Sequence, residues 1–185
     1  MIEEIFKEAQ AKMAKTVEKV RQDLAKIRTG RAHPDLLDHI RVSYYGTEVP
    51  LKQVASITVE DARTLAITPW EKQMVPVIEK AIQESDLGIT PQTAGQVIRI
   101  PFPPLTEERR QQLVRLARQE AEQGRIAIRN IRREAIAGLK EALKEKLISE
   151  DEERRAEAKI QKLTEESIGK IDQLLAEKEK DLLTF

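Results

Sequence analysis

TEERRQQLVRLARQEAEQGRIAIRNIRREAIAGLKEALKEKL, residues 106–147, decides the fold. Leu113, Ala117, Ala121, Ile128, Ile131, Ala135, Leu139 and Leu143 recur at helical spacing and form one apolar face. Pro103 and Pro104 end whatever precedes the stretch, Thr106 fits an N-cap, and Glu107 and Glu108 suit the positive end of a helix dipole. At 1.5 Å per residue the helix would run roughly 60 Å. Gly124 and Gly138 interrupt it, each at a cost of about 1 kcal/mol against alanine. Gly124 lies on the apolar side, where a missing side chain lets a second helix approach closely.

A single helix cannot bury so long a stripe, and the chain supplies two companions. In 2–29 the residues Phe6, Ala9, Met13, Val17, Val20, Leu24 and Ile27 stay on one face, and Gly30 is expected to stop the helix. In 149–184 the stripe is Ala156, Ile160, Leu163, Ile171, Leu174 and Leu182, with Ser167 as a polar gap, and Ser149 with Glu152 fits a capping box. Only the short polar connection 144–149 separates the last two helices, so they should form an antiparallel hairpin. Three stripes of similar length predict a three-helix bundle.

The intervening stretch 31–104 has another texture. Ile40, Val42 and Tyr44 alternate before a turn at Tyr45-Gly46-Thr47. Val54 to Val59 and Thr64 to Thr68 are rich in β-branched residues, Val75 to Ser85 reads as a short helix, and Val97 to Ile100 as a last strand. The chain's prolines concentrate here. The expected class is α+β: a bundle domain of residues 1–30 and 105–185, with a small β/α domain, 31–104, inserted after the first helix. The two connections must lie side by side at one end of the rod, so Thr29, Gly30 and Arg31 with Pro103, Pro104 and Leu105 form a candidate hinge.

Composition sets the outer bounds. Charged residues make up 35% of the chain and aromatics only 3%, a mix that favours long solvated helices over a thick core. Disorder is excluded by the 40% of hydrophobic residues and their regular spacing. Without cysteine there is no thiol nucleophile or thiolate metal site. MIEEIFKEAQ does not read as a secretion signal, and no apolar run is long enough to span a bilayer, so a soluble intracellular protein with no membrane partner is expected.

Net charge is zero, yet 109–133 holds eight arginines against Glu120 and Glu122, a local +6. Arg118, Arg125, Arg129 and Arg132 fall within about 40–60° of one another beside the apolar stripe, and Arg133 widens the patch. Guanidinium forks bind phosphate oxygens in pairs, so the face suits a folded RNA. The competing reading is a row of solvated ion pairs, for which the neighbouring sequence offers few acidic partners. Both readings stand at this level. Arg28 and Arg31 flank Thr29-Gly30, and a cation at a helix C-terminus accounts for Arg28 well enough.

Other chemistry is poorly supported. His33 and His39, near Asp35 and Asp38, read as loop histidines before they read as a metal site. Trp70, in a turn after Pro69, is expected to be partly buried packing before it is a contact surface, and Tyr44 and Tyr45 to be sheet residues before base-stacking platforms. There is no Gly-rich phosphate loop and no set-off carboxylate pair. The expectation is no catalysis, no metal and no cofactor.

Three stretches carry more than general physics: KIRTGRAHPDLLDHIRVSYYG at 26–46, SDLGITPQTAGQVIRIPFPPLTEERR at 85–110 and GRIAIRNIRREA at 124–135. Together they closely resemble the bacterial ribosome recycling factor family, in order, spacing and total length. Thr90 departs from the asparagine that the family often has before Pro91. The resemblance implies an L-shaped, two-domain cytoplasmic protein, expected to be monomeric. It implies a factor that, with elongation factor G and GTP hydrolysis by that partner, splits the post-termination ribosome so that the subunits are recycled. It also implies that the bundle lies on large-subunit ribosomal RNA. Arg129 and Arg132 match the family's functional arginines on the long helix, and Arg28 matches another RNA-facing position. With Arg125 and Arg133 beside them, these are the candidate RNA-binding residues. The alternative from a different class is a helical adaptor that binds only proteins.

Overall fold

The computed structural model describes residues 1–184, which divide into two compact units, Met1–Arg28 with Glu107–Thr184, and Thr29–Thr106. The first unit is three long helices: α1, Ile2–Ala25; α3, Glu107–Lys144; and α4, Glu150–Thr184. The second is built on β1, Arg41–Tyr44; β2, Thr47–Pro50; β3, Ala55–Asp61; β4, Thr64–Pro69; α2, Val75–Gln83; β5, Gln92–Ala94; and β6, Val97–Pro101. The architecture is α+β, as expected. No helix among the described residues is long and apolar enough to cross a membrane.

In the helical unit the stripes meet. Met13, Ala117, Ala121, Ile128, Leu139, Ile160 and Ile171 are fully buried. Contacts between α1 and α3 pair Val20 with Gly124 and Ile5 with Gly138, so the two helices run antiparallel. A Cβ at Gly124 would stand 2.4 Å from Val20 Cγ2 and 3.2 Å from Ile171 Cδ1, so all three helices converge on this glycine. At Gly138 the nearest atom would be Ile5 Cδ1 at 3.5 Å, an ordinary contact. Ser167 is buried and its hydroxyl reaches Met13 Sδ at 3.6 Å, a weak acceptor for a polar gap in the stripe.

The helix ends follow from local hydrogen bonds. α3 stops where the Leu147 N–H donates to the Ala142 carbonyl and the Lys146 N–H to that of Leu143, a Schellman pair with Lys146 at φ +64°. α4 starts on the expected capping box: the Glu152 N–H donates to Ser149 Oγ at 3.1 Å, and the Ser149 N–H to Glu152 Oε1 at 3.0 Å. α1 differs from expectation. It ends at Ala25, four residues early, because the chain tightens there: the Ile27 N–H donates to the Leu24 carbonyl, only three residues back. Ile27 remains buried, which is why the apolar spacing runs on past the helix. Gly30 has no positive φ and caps nothing.

In the second unit, β1 and β2 form a hairpin with Tyr44 opposite Thr47, and the other strands form an antiparallel sheet in the order β3-β4-β6-β5. Leu65, Ile67, Ile98 and Ile100 point from the sheet onto Ile78 and Ile82 of α2. The segments leading in and out are tied to one β-turn: the Ala32 N–H donates to the Ala62 carbonyl and the Phe102 N–H to the Arg63 carbonyl, both at 2.7 Å.

Two aromatic expectations are corrected. Alternation along β4 sends Leu65, Ile67 and Pro69 inward, so Trp70 faces out and is 65% exposed. Tyr45 is not a sheet residue but belongs to the turn expected at Tyr45-Gly46-Thr47. It and Gly46 take φ +49° and +81°, the signs of a type I′ turn, which costs a non-glycine residue about 1–2 kcal/mol.

Candidate nucleic-acid interface on the long helix

Helix α3 holds all of its arginines on one rigid element, but its partners sort them into two groups. Toward its N-terminal half, Arg118 Nε donates to Glu179 Oε1 at 2.6 Å. Arg125 donates to Asp172 Oδ1 from Nε at 2.8 Å and from NH2 at 2.7 Å, and to Glu122 Oε2 at 3.0 Å. Its side chain is only 19% exposed. Burial disfavours the Arg125 charge, but the bonds it donates to Asp172 and Glu122 outweigh it and hold the guanidinium protonated.

Toward the C-terminal half the cations are met by neutral groups. Arg132 Nε donates to the Gln161 amide oxygen at 2.7 Å, and Gln161 passes its own N–H to Glu165 at 3.2 Å. Arg133 donates to Asn130 Oδ1 at 3.1 Å. Among the described residues neither is paired with a carboxylate. Arg129, 44% exposed, is intermediate: its one bond, 3.3 Å to Glu122 Oε1, is to a carboxylate shared with Arg125. That sharing draws Glu122 below the usual carboxylate range, through the hydrogen bond from Arg125 first and that from Arg129 second.

The scarcity of acidic partners expected from the sequence is therefore corrected. Asp172 and Glu179 come from α4, 47 and 61 residues further along the chain. Positions 118 and 179 lie 26 residues before the end of α3 and 29 after the start of α4, and 125 and 172 lie 19 and 22, so the hairpin already puts these stretches roughly opposite one another. The ion-pair reading describes Arg118 and Arg125, and the phosphate reading fits Arg129, Arg132 and Arg133. Arg28 is exposed and has no hydrogen bond or ion pair among the described residues. Because α1 runs antiparallel to α3, its C-terminal end at Ala25, three residues before Arg28, lies toward the N-terminal end of α3 and away from Arg129–Arg133. The structure does not bring it into the Arg129–Arg133 group.

The histidines stay apart in function. His33 Nδ1 accepts the Asp35 N–H at 3.1 Å and caps a short turn, while His39 Nε2 contacts Asp86 at 3.0 Å. Among the described residues no group of three or more histidines and carboxylates is gathered closely enough to hold a metal ion.

Comparison with known proteins adds to this geometry. A family model described as ribosome recycling factor matches residues 20–183. The chain is 59% identical to the ribosome-recycling factor of Coxiella burnetii and 60% identical to that of Nitrosococcus oceani. Each match runs over 183 residues and covers 99% of this chain, with 99% of the first relative and 98% of the second. Among solved structures, a ribosome recycling factor in solution is 44% identical with a TM-score of 0.69, covering 100% of this chain and 98% of that one. A second is the T. thermophilus ribosome recycling factor, described together with E. coli elongation factor G bound to the E. coli post-termination complex. It is 51% identical with a TM-score of 0.62, and the match covers 99% of each chain.

Proposed function

This chain belongs to the ribosome recycling factor family, and we propose that it works with elongation factor G to split the post-termination ribosome, releasing the subunits for reuse. The helical unit docks on large-subunit ribosomal RNA. Arg129, Arg132 and Arg133 bind its phosphates, and Arg28 makes a separate contact further along the rod. Arg125 holds α3 to α4 beneath that face. The chain supplies no catalysis and takes no cofactor; the partner's GTP hydrolysis drives the step. The β/α unit moves about Thr29, Gly30 and Arg31 and about Pro103, Pro104 and Leu105. The protein acts as a cytoplasmic monomer.

One observation carries the docking face: Arg132 and Arg133 are held by amides on a rigid helix, with their charge left uncompensated. A guanidinium that is oriented but not neutralised is ready for an anion. The related T. thermophilus factor, described with elongation factor G and a post-termination complex, supports the setting.

Co-sedimentation with purified large subunits over a salt series tests the reading. Arg132→Ala should bind about tenfold more weakly, the loss of one charge-assisted contact. Its salt slope should be shallower by about one, while its Tm stays within about 1 °C of the parent. Normal affinity with an unchanged slope would remove Arg132 from the interface. Binding that survives RNase treatment of the subunits would favour a protein-only adaptor.

A further inference from the structure

The β/α unit displays a feature that folding does not explain. Tyr45 is 73% exposed, so its ring gains little by burial, yet it occupies a left-handed turn position where asparagine or glycine sits without strain. The side chain is held in place. Gln73 Nε2 donates to the Tyr45 hydroxyl at 2.7 Å, the hydroxyl points to Glu71 Oε1 at 3.4 Å, and the ring sits edge-on to Tyr44 at 4.6 Å. Next to Glu71 in the chain is Trp70, the only tryptophan, also mostly in water. Exposed tryptophan and tyrosine are the residues that anchor protein interfaces.

The chemistry of the spot selects its partner. Glu71 is weakly served by donors: it interacts with the Tyr44 hydroxyl, the Tyr45 bond to Oε1 is long, and Oε2 is left without a hydrogen-bond partner. A carboxylate in that state calls for hydrogen-bond donors, and the rings beside it attract cations at their faces. Phosphate offers neither. We propose that Tyr45, Trp70 and Glu71 form a docking site for an arginine side chain of a protein partner. The guanidinium stacks on Tyr45 or Trp70 and donates to Glu71. This site is separate from the arginine face of α3, and it would give the β/α unit a protein contact where the helical unit has an RNA contact.

Trp70 makes its own reporter. The full-length protein is titrated with a short arginine-containing peptide, its glutamate counterpart and a single-stranded RNA oligonucleotide, and tryptophan emission is followed. A saturable change is expected with the arginine peptide alone. Tyr45→Asn is the decisive variant, because asparagine suits the turn. It should fold with an equal or higher Tm and bind the peptide at least tenfold more weakly, and Glu71→Gln should also bind more weakly. The proposal is overturned by an equal response to RNA or to the acidic peptide, by no saturable response to arginine, or by a stable Tyr45→Asn protein that binds as the parent does. Large-subunit affinity through Arg132 is a separate readout, so failure here leaves the docking face of α3 standing, and the reverse also holds.

Discussion

The two halves of α3 carry the same residue types and do different work. Around Gly124 the three helices touch, and Arg118 and Arg125 are bound to carboxylates of α4. Around Gly138 the helices approach less closely, and open grooves of about 160 and 400 Å³ run along the surface there, the first lined by Ile5, Ala9, Ala135 and Gly138 and the second by Ile2, Phe6, Leu139 and Ile160 among others. In that half Arg132 and Arg133 meet only amides. Both halves bury apolar residues in the bundle, but only the first ties its arginines to carboxylates of α4. What an arginine does here is set by its partner on the next helix, not by its own position in a stripe.

The largest test of that contrast is a pair of identical substitutions with opposite signs. Gly124→Ala places a methyl 2.4 Å from Val20. Valine has one strongly preferred rotamer in a helix and cannot swing aside, so the helices must separate. Overpacking of this kind costs about 1–3 kcal/mol, and alanine's helix propensity returns about 1. Chemical denaturation should show a net loss of up to about 2 kcal/mol, largely restored by adding Val20→Ala. Gly138→Ala meets only an ordinary contact, so it should gain about 1 kcal/mol from propensity. Equal effects at the two glycines would mean that the halves do not differ in packing.

The arginines give the next contrast. Arg125→Ala removes a mostly enclosed side chain, leaves Asp172 without its cation and leaves Glu122 with Arg129 alone, for an expected loss of about 1 kcal/mol. Arg133→Ala removes an exposed side chain bonded to one amide and should stay within about 0.5 kcal/mol. Large-subunit binding should reverse the ranking, with Arg133→Ala the weaker binder. A stable Arg125→Ala protein would show that its ion pairs are as dispensable as surface pairs elsewhere.

Most of the bundle is legible in the sequence because its signal is local and periodic. The apolar stripes, the Ser149–Glu152 cap and the close approach at Gly124 all follow from spacing. The end of α1 is not legible, since Ile27 keeps the phase of the stripe while leaving the helix. Strands β2 and β5 escape a reading by pattern because each is short and neither shows a buried alternating face. The exposure of Trp70 depends on the parity of β4, which the buried Pro69 fixes. The partners of Arg118 and Arg125 lie across a hairpin that the sequence already implies. The arginines of α3 are legible as a patch, but their division into those paired with carboxylates and those met by amides needs α4.

The smallest effect probes the boundary between the halves, where Glu122 serves both Arg125 and Arg129. The two guanidiniums hold its carboxyl below the ordinary value of about 4.3. The folded state therefore favours the ionised form, and that stabilisation is complete above the unfolded pKa. It fades as pH falls through the folded value, because both states then bind the proton. Glu122→Gln should accordingly be slightly less stable than the parent at pH 6–7, and the gap should close in acid titrations below about pH 4. The same substitution frees Arg129 from its only carboxylate, so large-subunit affinity at neutral pH should rise while stability falls. If stability and affinity fell together, Glu122 would instead be orienting Arg129 toward the RNA, and the boundary between the holding half and the docking half would move one turn toward Arg125.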